Sequence, residues 1–149
     1  MSYQDRNNIV SIVVSLLVNG YVIFRLFEMS AAGAFDGADA VNVWARMVVW
    51  AIPISIAGTI VGTILFNIAY AMVTGETKPS FLVDERDRQI DLRAIVAVVV
   101  VAAAGFILAI VGLAFGWSAL VGFNIVYFAM ALGSMASDAF KFIAYRMDA

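Results

Sequence analysis

Cysteine and histidine are both absent from the 149-residue chain. Their absence excludes disulfide bonds, thiol nucleophiles, iron–sulfur clusters, histidine-ligated haem and the common kinds of zinc site. It also removes the side chain that most often performs acid–base chemistry near neutral pH. We therefore expect a non-catalytic protein that carries no metal and no cofactor.

Charge is scarce as well: charged residues make up 13% of the chain and hydrophobic residues 64%. A soluble domain has about 25% charged and about 45–50% apolar residues. The polar surface is too small to cover a globule in water, so the composition predicts an integral membrane protein in contact with lipid. The net charge of −2 is too small to indicate direct nucleic-acid binding.

Four hydrophobic stretches are long enough to cross a bilayer, which takes about 20 apolar residues. Each should be helical, because lipid offers no hydrogen-bond partner to a free backbone group. The sequence therefore predicts one all-α domain over residues 1–149, an integral membrane four-helix bundle. The predicted spans are about 9–27, 46–73, 94–115 and 119–143.

Basic residues are distributed unevenly between the two sides that these spans define. One side would carry Arg6, Lys78, Arg86, Arg88, Arg93, Lys141 and Arg146, and the other only Arg25 and Arg46. Since lysine and arginine favour the cytoplasmic side, both termini are predicted to be cytoplasmic. The three tryptophans, Trp44, Trp50 and Trp117, would then mark the outer interface.

Seven of the twenty charged side chains fall within the stretch VDERDRQIDLRA, residues 83–94, which ends the charged cytoplasmic segment 74–93. Nothing breaks a helix between Glu85 and the glycines of the third span. A helix over 85–115 would be about 46 Å long at about 1.5 Å per residue. The hydrocarbon layer is about 30 Å thick, so the third helix should extend into the cytoplasm as a charged stalk.

Three interpretations of the stalk remain open. In the first interpretation, the stalk is a solvated helix end in which Arg88 pairs with Asp84, Glu85 and Asp91 at helical spacing. Alternatively, it docks a protein partner or a second copy of the chain. A catalytic carboxylate cluster is the third interpretation, but nothing here supplies a nucleophile or a metal site. The docking hypothesis involves Asp84, Glu85, Arg86, Asp87, Arg88, Asp91 and Arg93.

The same segment resembles the signature of a known family. An Asp-Glu-Arg-Asp run that leads into a transmembrane helix is similar to small uncharacterised prokaryotic four-span membrane proteins of the domain of unknown function 2178 kind. The matching positions are Asp84, Glu85, Arg86, Asp87, Arg88 and Ile90. The resemblance implies a prokaryotic inner (cytoplasmic) membrane protein with a regulatory partner, and it implies no active site.

Three asparagines, Asn19, Asn67 and Asn124, lie within the spans. An amide in lipid needs a partner, so these residues are predicted to pair between helices. The alternative is a small-solute transporter or channel that acts as an oligomer, with the asparagines near the path. No carboxylate lies at mid-bilayer, where a cation-coupled carrier commonly has one, and this counts against a pump.

Small residues at regular spacing predict close helix packing. Gly58 and Gly62 form a GxxxG pattern in the second span, and Gly133 lies in the fourth. One such face should pack inside the bundle, and another is available for a homodimer. The short stretch GWS at 116–118 should join the last two spans as a tight hairpin, with glycine ending one helix and serine capping the next.

Overall fold

The computed structural model describes residues 3–75 and 85–147. Within these ranges the chain forms four α-helices: α1 (Tyr3–Ala31), α2 (Ala40–Thr74), α3 (Glu85–Ala114) and α4 (Ala119–Met147). Each is long and apolar enough to cross a membrane. The predicted all-α membrane protein with four spanning helices is therefore confirmed. Asp84 and Lys78 lie outside the described residues.

The helices are longer than the apolar stretches from which they were predicted. The first begins at Tyr3, although its apolar stretch begins near residue 9, and the third begins at Glu85. Hydropathy marks the part of a helix that suits lipid, whereas the helix itself continues until a residue breaks it. Acidic residues stabilise both starts, because Asp5 and Glu85 lie in first turns, near the positive end of the helix dipole.

A glycine in the left-handed conformation follows three of the helices, and Gly33, which follows α1, has a φ of 71°. Gly75 follows α2 with a φ of 73°, and its amide donates a hydrogen bond to the Ala71 carbonyl. Gly116 follows α3 with a φ of 86°. A residue with a side chain would be strained in this left-handed conformation. Ser118 then accepts a long hydrogen bond, 3.4 Å, from the Val121 amide at the start of α4.

The hairpin of α3 and α4 is the most closely packed pair of helices. A Cβ atom built on Gly133 would lie 3.1 Å from the backbone of Val98, and one on Gly105 would lie 2.0 Å from the Cβ of Ala129. Both glycines are buried. Small residues thus allow the two backbones to approach, which is how helices associate where lipid removes the hydrophobic driving force.

The remaining helices pack around α1 and α4. The first helix contacts both α2 and α4, whereas α3 packs along α4. Consecutive packed helices run in opposite directions, so the first and last described residues, Tyr3 and Met147, lie at one end of the bundle, called the terminal end below. The connections 32–39 and 115–118 lie at the opposite end, called the loop end.

Trp44 departs from the position expected of an interface tryptophan. Its side chain is buried, its ring stacks on Phe123 at a centroid distance of 5.6 Å, and its indole nitrogen donates to Asn124 at 3.0 Å. Trp50 and Trp117, by contrast, are exposed. Trp44 therefore packs between α2 and α4 and does not lie at a lipid-facing surface.

Candidate interaction site at the terminal end

The charged start of α3 has two different faces. Ile90 and Ala94 are buried, and their spacing of four residues places them together against α4. The opposite face is exposed and carries most of the charge. It consists of Glu85, Arg86, Arg88, Gln89, Leu92 and Arg93, and is called the docking face below.

Asp91 forms an ion pair with a residue of α4, a partner that the spacing of charges along α3 does not predict. Its carboxylate lies 2.7 Å from the ammonium group of Lys141 in α4. The pairing of Arg88 with Asp91 was expected, but among the described residues Arg88 forms an ion pair only with Glu85, at 3.9 Å, with both side chains about 70% exposed. The reason is packing: α4 brings a half-buried lysine to Asp91, while Arg88 points away from the helix pair. Asp84, the third expected partner of Arg88, lies outside the described residues.

The last turns of α4 support the start of α3 further. The phenol group of Tyr145 lies near the carboxylates of Asp87, Asp91 and Asp5. The fourth helix also continues to Met147, beyond its predicted span. The start of α3 is therefore one side of a helix pair and not a single projecting helix.

Arg6 was counted among the basic residues of the predicted cytoplasmic side, and its side chain is only 3% exposed. Its guanidinium carbon lies 4.3 Å from the centre of the Tyr70 ring in α2. A cation over an aromatic face stabilises a charge that has lost its water. Arg6 thus joins α1 to α2 at the terminal end.

A second buried polar contact joins α1 to α4. The amide group of Asn8 donates to the backbone carbonyl of Asp138 at 2.9 Å, and the hydroxyl group of Ser11 donates to the Asp138 carboxylate at 2.8 Å. Asp138 is 8% exposed. The sequence placed Asp138 three residues from Lys141 near the end of the span, but gave no sign of its contact with α1.

The three asparagines have different partners. The side-chain oxygen of Asn19 accepts a hydrogen bond from the Tyr127 hydroxyl at 3.1 Å, and that of Asn124 accepts from Trp44. These bonds connect α1 and α2 to α4. Asn67 differs from the expected interhelical pairing, because its amide donates to the Thr63 carbonyl of its own helix and its buried oxygen has no hydrogen-bond partner in the described ranges.

The glycine pair of α2 faces α1. A Cβ atom on Gly58 would lie 3.2 Å from Val14, and one on Gly62 would lie 2.8 Å from Val10. Valine side chains occupy the space that the missing side chains leave. The pair therefore contributes to packing within the chain, as Gly133 does in the hairpin of α3 and α4.

A cleft of about 440 Å³ lies between α1, α2 and α4. Apolar atoms make up most of the area of its wall. Its polar lining consists of Ser11, Ser15, Asn19, Ser55, Thr59, Tyr127 and Ser134. Elsewhere, residues 3–75 and 85–147 contain no group of three acidic side chains that could hold a metal ion.

Comparison of the chain with family models, curated proteins and solved structures gave no match. Its function must therefore be inferred from its own geometry. Two features are distinctive: the docking face, which concentrates charge at the terminal end, and the cleft between α1, α2 and α4.

Proposed function

We propose that the chain is a non-catalytic accessory or regulatory membrane protein that docks a protein partner, or a second copy of itself, through the docking face. The observation that carries the proposal is the contrast between the two faces of α3. Asp91 and Ile90 hold the helix against α4. The side chain of Arg88, by contrast, is 71% exposed, and its only ion-pair partner among the described residues, Glu85, is 3.9 Å away. Charged side chains are thus presented on a supported helix.

Stability does not explain why the charge is concentrated there. An exposed ion pair contributes about 0–1 kcal/mol, and the geometry between Arg88 and Glu85 is poor. Charges across an interface, by contrast, select partners, since opposed like charges cost several kcal/mol. Arginine is also enriched at interfaces between proteins. These properties favour recognition over stabilisation.

The proposal includes a location. The excess of basic residues at the terminal end supports cytoplasmic termini, and the family resemblance supports a prokaryotic inner membrane. The third helix would then extend its charged start into the cytoplasm. The resemblance to the domain of unknown function 2178 proteins supports a regulatory partner, and the charge balance gives no reason for the chain to bind nucleic acid directly.

Reversal of the charge at Arg88 tests the proposal. Arg88→Glu should insert and fold normally, because the residue is exposed, yet it should lose the wild-type cross-linked partners in native membranes. Arg146→Glu is the matched control, since it reverses an exposed charge at the same end but outside the docking face. Retention of every partner by Arg88→Glu would reduce the docking face to a solvated helix end.

Transport of a small solute by an oligomer is a second candidate function. The cleft favours it, because polar groups inside a membrane protein often mark a solute path. Asn19 lines this cleft. Uptake of a small solute into proteoliposomes, compared with protein-free vesicles, separates this candidate from the docking function.

A further inference from the structure

The cleft is suited to a small molecule by its size and by its balance of surfaces. Ligand sites commonly have volumes of about 300–1,000 Å³ and mostly apolar walls with a few polar groups. The cleft, at about 440 Å³, lies within that range. It is mainly apolar, and its polar atoms come from three different helices.

Four of the six hydroxyl groups that line the cleft donate their hydrogen to the protein. Ser55 and Thr59 donate to backbone carbonyls of α2 at 2.8 and 2.9 Å. Tyr127 donates to Asn19, and Ser11 donates to Asp138. A hydroxyl group has one hydrogen but two lone pairs. These groups can therefore still accept hydrogen bonds from a ligand, but they have no hydrogen left to donate.

A carboxylate lies directly behind this lining. Asp138 is buried, and Ser11 joins it to the cleft through one hydrogen bond of 2.8 Å. Lys141 is near enough to act on it electrostatically, but its ammonium group is in contact with Asp91. In the described ranges, no cation forms a direct ion pair with Asp138. Burial makes the charged form of Asp138 costly when no cation pairs with it, and an ammonium ion in the cleft would stabilise that charged form.

From these observations we infer that the cleft binds a small primary ammonium ion with a short apolar tail. The ammonium group supplies three hydrogen-bond donors to a site that offers acceptors. The Ser11 oxygen is a strong acceptor, because its own hydrogen is held by a carboxylate. The apolar wall covers the tail. The inference concerns the same cleft as the second candidate function, but it requires no movement of the ligand, so equilibrium binding tests it separately from uptake.

Calorimetric titration of the full chain in lipid nanodiscs, with empty nanodiscs as the blank, tests the inference. Butylammonium should bind in a saturable way, whereas butyrate, its anionic counterpart, should not. The double variant Ser55→Ala, Thr59→Val removes two acceptors whose bonds lie within α2, so contacts between helices stay intact. Its affinity for butylammonium should be lower by about tenfold or more, because hydrogen bonds to a charged group contribute more to binding than those between neutral groups.

Two further variants complete the experiment. Thr74→Val removes a hydroxyl group with the same kind of bond to its own helix, at 2.8 Å, but outside the cleft, and should bind as the wild type does. Asp138→Asn keeps an acceptor for Ser11 while removing the charge, and should also weaken binding. Three results would each overturn the inference: equal binding of butyrate, wild-type affinity in the double variant, or a signal no larger than that of empty nanodiscs. Any of them would indicate that the cleft is filled by lipid.

Discussion

At the scale of single residues, polar side chains connect α1 and α2 to α4. Trp44, Asn19 and Ser11 each form a hydrogen bond with α4 or receive one from it. Hydrogen bonds of this kind between membrane helices contribute about 0.6 kcal/mol on average. Their value lies partly in orientation, since each can form at only one rotation of the helix pair.

Trp44→Phe isolates one of these bonds, because it retains an aromatic ring against Phe123 and removes the indole N–H. We expect a loss of about 0.6–1 kcal/mol in the free energy of unfolding. Thermal unfolding in a mild detergent measures it.

The matched control is Trp50→Phe, which changes a tryptophan that is 67% exposed. It should leave the unfolding temperature unchanged. An equal effect of the two substitutions would mean that the bond to Asn124 adds nothing to stability.

At the scale of elements, glycines have opposite roles according to what they face. Gly133 faces the backbone of α3, with Val98 atoms 3.1 Å from the position of a Cβ, whereas Gly20 has nothing within 4 Å. The first glycine permits a close approach, and the second only weakens α1 through its conformational freedom. The same substitution should therefore change stability in opposite directions at the two positions.

Gly133→Ala should destabilise the protein by about 1–3 kcal/mol, because backbone atoms of α3 must move away. Gly20→Ala should stabilise it by up to about 1 kcal/mol, because alanine is the better helix former. Comparison of their unfolding temperatures with that of the wild type measures both. If both substitutions lowered the unfolding temperature by a similar amount, the close contact with α3 would not be the reason for glycine at position 133.

The elements also show what the sequence can predict. Apolar runs and the glycines that end helices are local signals, so the four helices and the turn at Gly116 were predictable. The pairing of Asp91 with Lys141 was not, because spacing reveals neighbours on one helix and not the rotation of the next helix. The burial of Arg6 under Tyr70 was missed for the same reason.

At the scale of the whole molecule, the surface is dominated by apolar side chains. Exposed large hydrophobic residues occur on all four helices, among them Leu17, Ile60, Val99 and Phe123. Soluble monomers rarely expose such continuous apolar surface. Lipid is therefore the natural environment of the bundle, and orientation in the bilayer decides which compartment the docking face meets.

The absence of native cysteine makes the orientation directly testable. Single cysteines at Asp36, in the connection between α1 and α2, and at Gln89, on the docking face, should react with an impermeant thiol reagent from opposite sides. Gln89→Cys should react only after the cytoplasmic side is opened, because the basic residues favour that side.

Inverted vesicles supply the reciprocal measurement, in which the two positions should exchange their reactivity. Labelling of both cysteines from the same side would contradict the alternation of four spans. Labelling of Asp36→Cys from the cytoplasm would show that the protein has the opposite orientation. The docking face would then lie on the outer side, where it cannot meet cytosolic partners.

In the described ranges, α3 packs against α4 and has at most marginal contact with α1 and α2. This arrangement affects how the protein is assembled. The chain consists of two hairpins, and the covalent link between Gly75 and Glu85 joins no closely packed pair of helices. Each hairpin satisfies its own backbone hydrogen bonds in lipid. The two halves, synthesised as separate polypeptides, should therefore find each other in the bilayer through α1 and α4. In evolution, the same boundary would allow one hairpin to be exchanged between related genes while the other is kept.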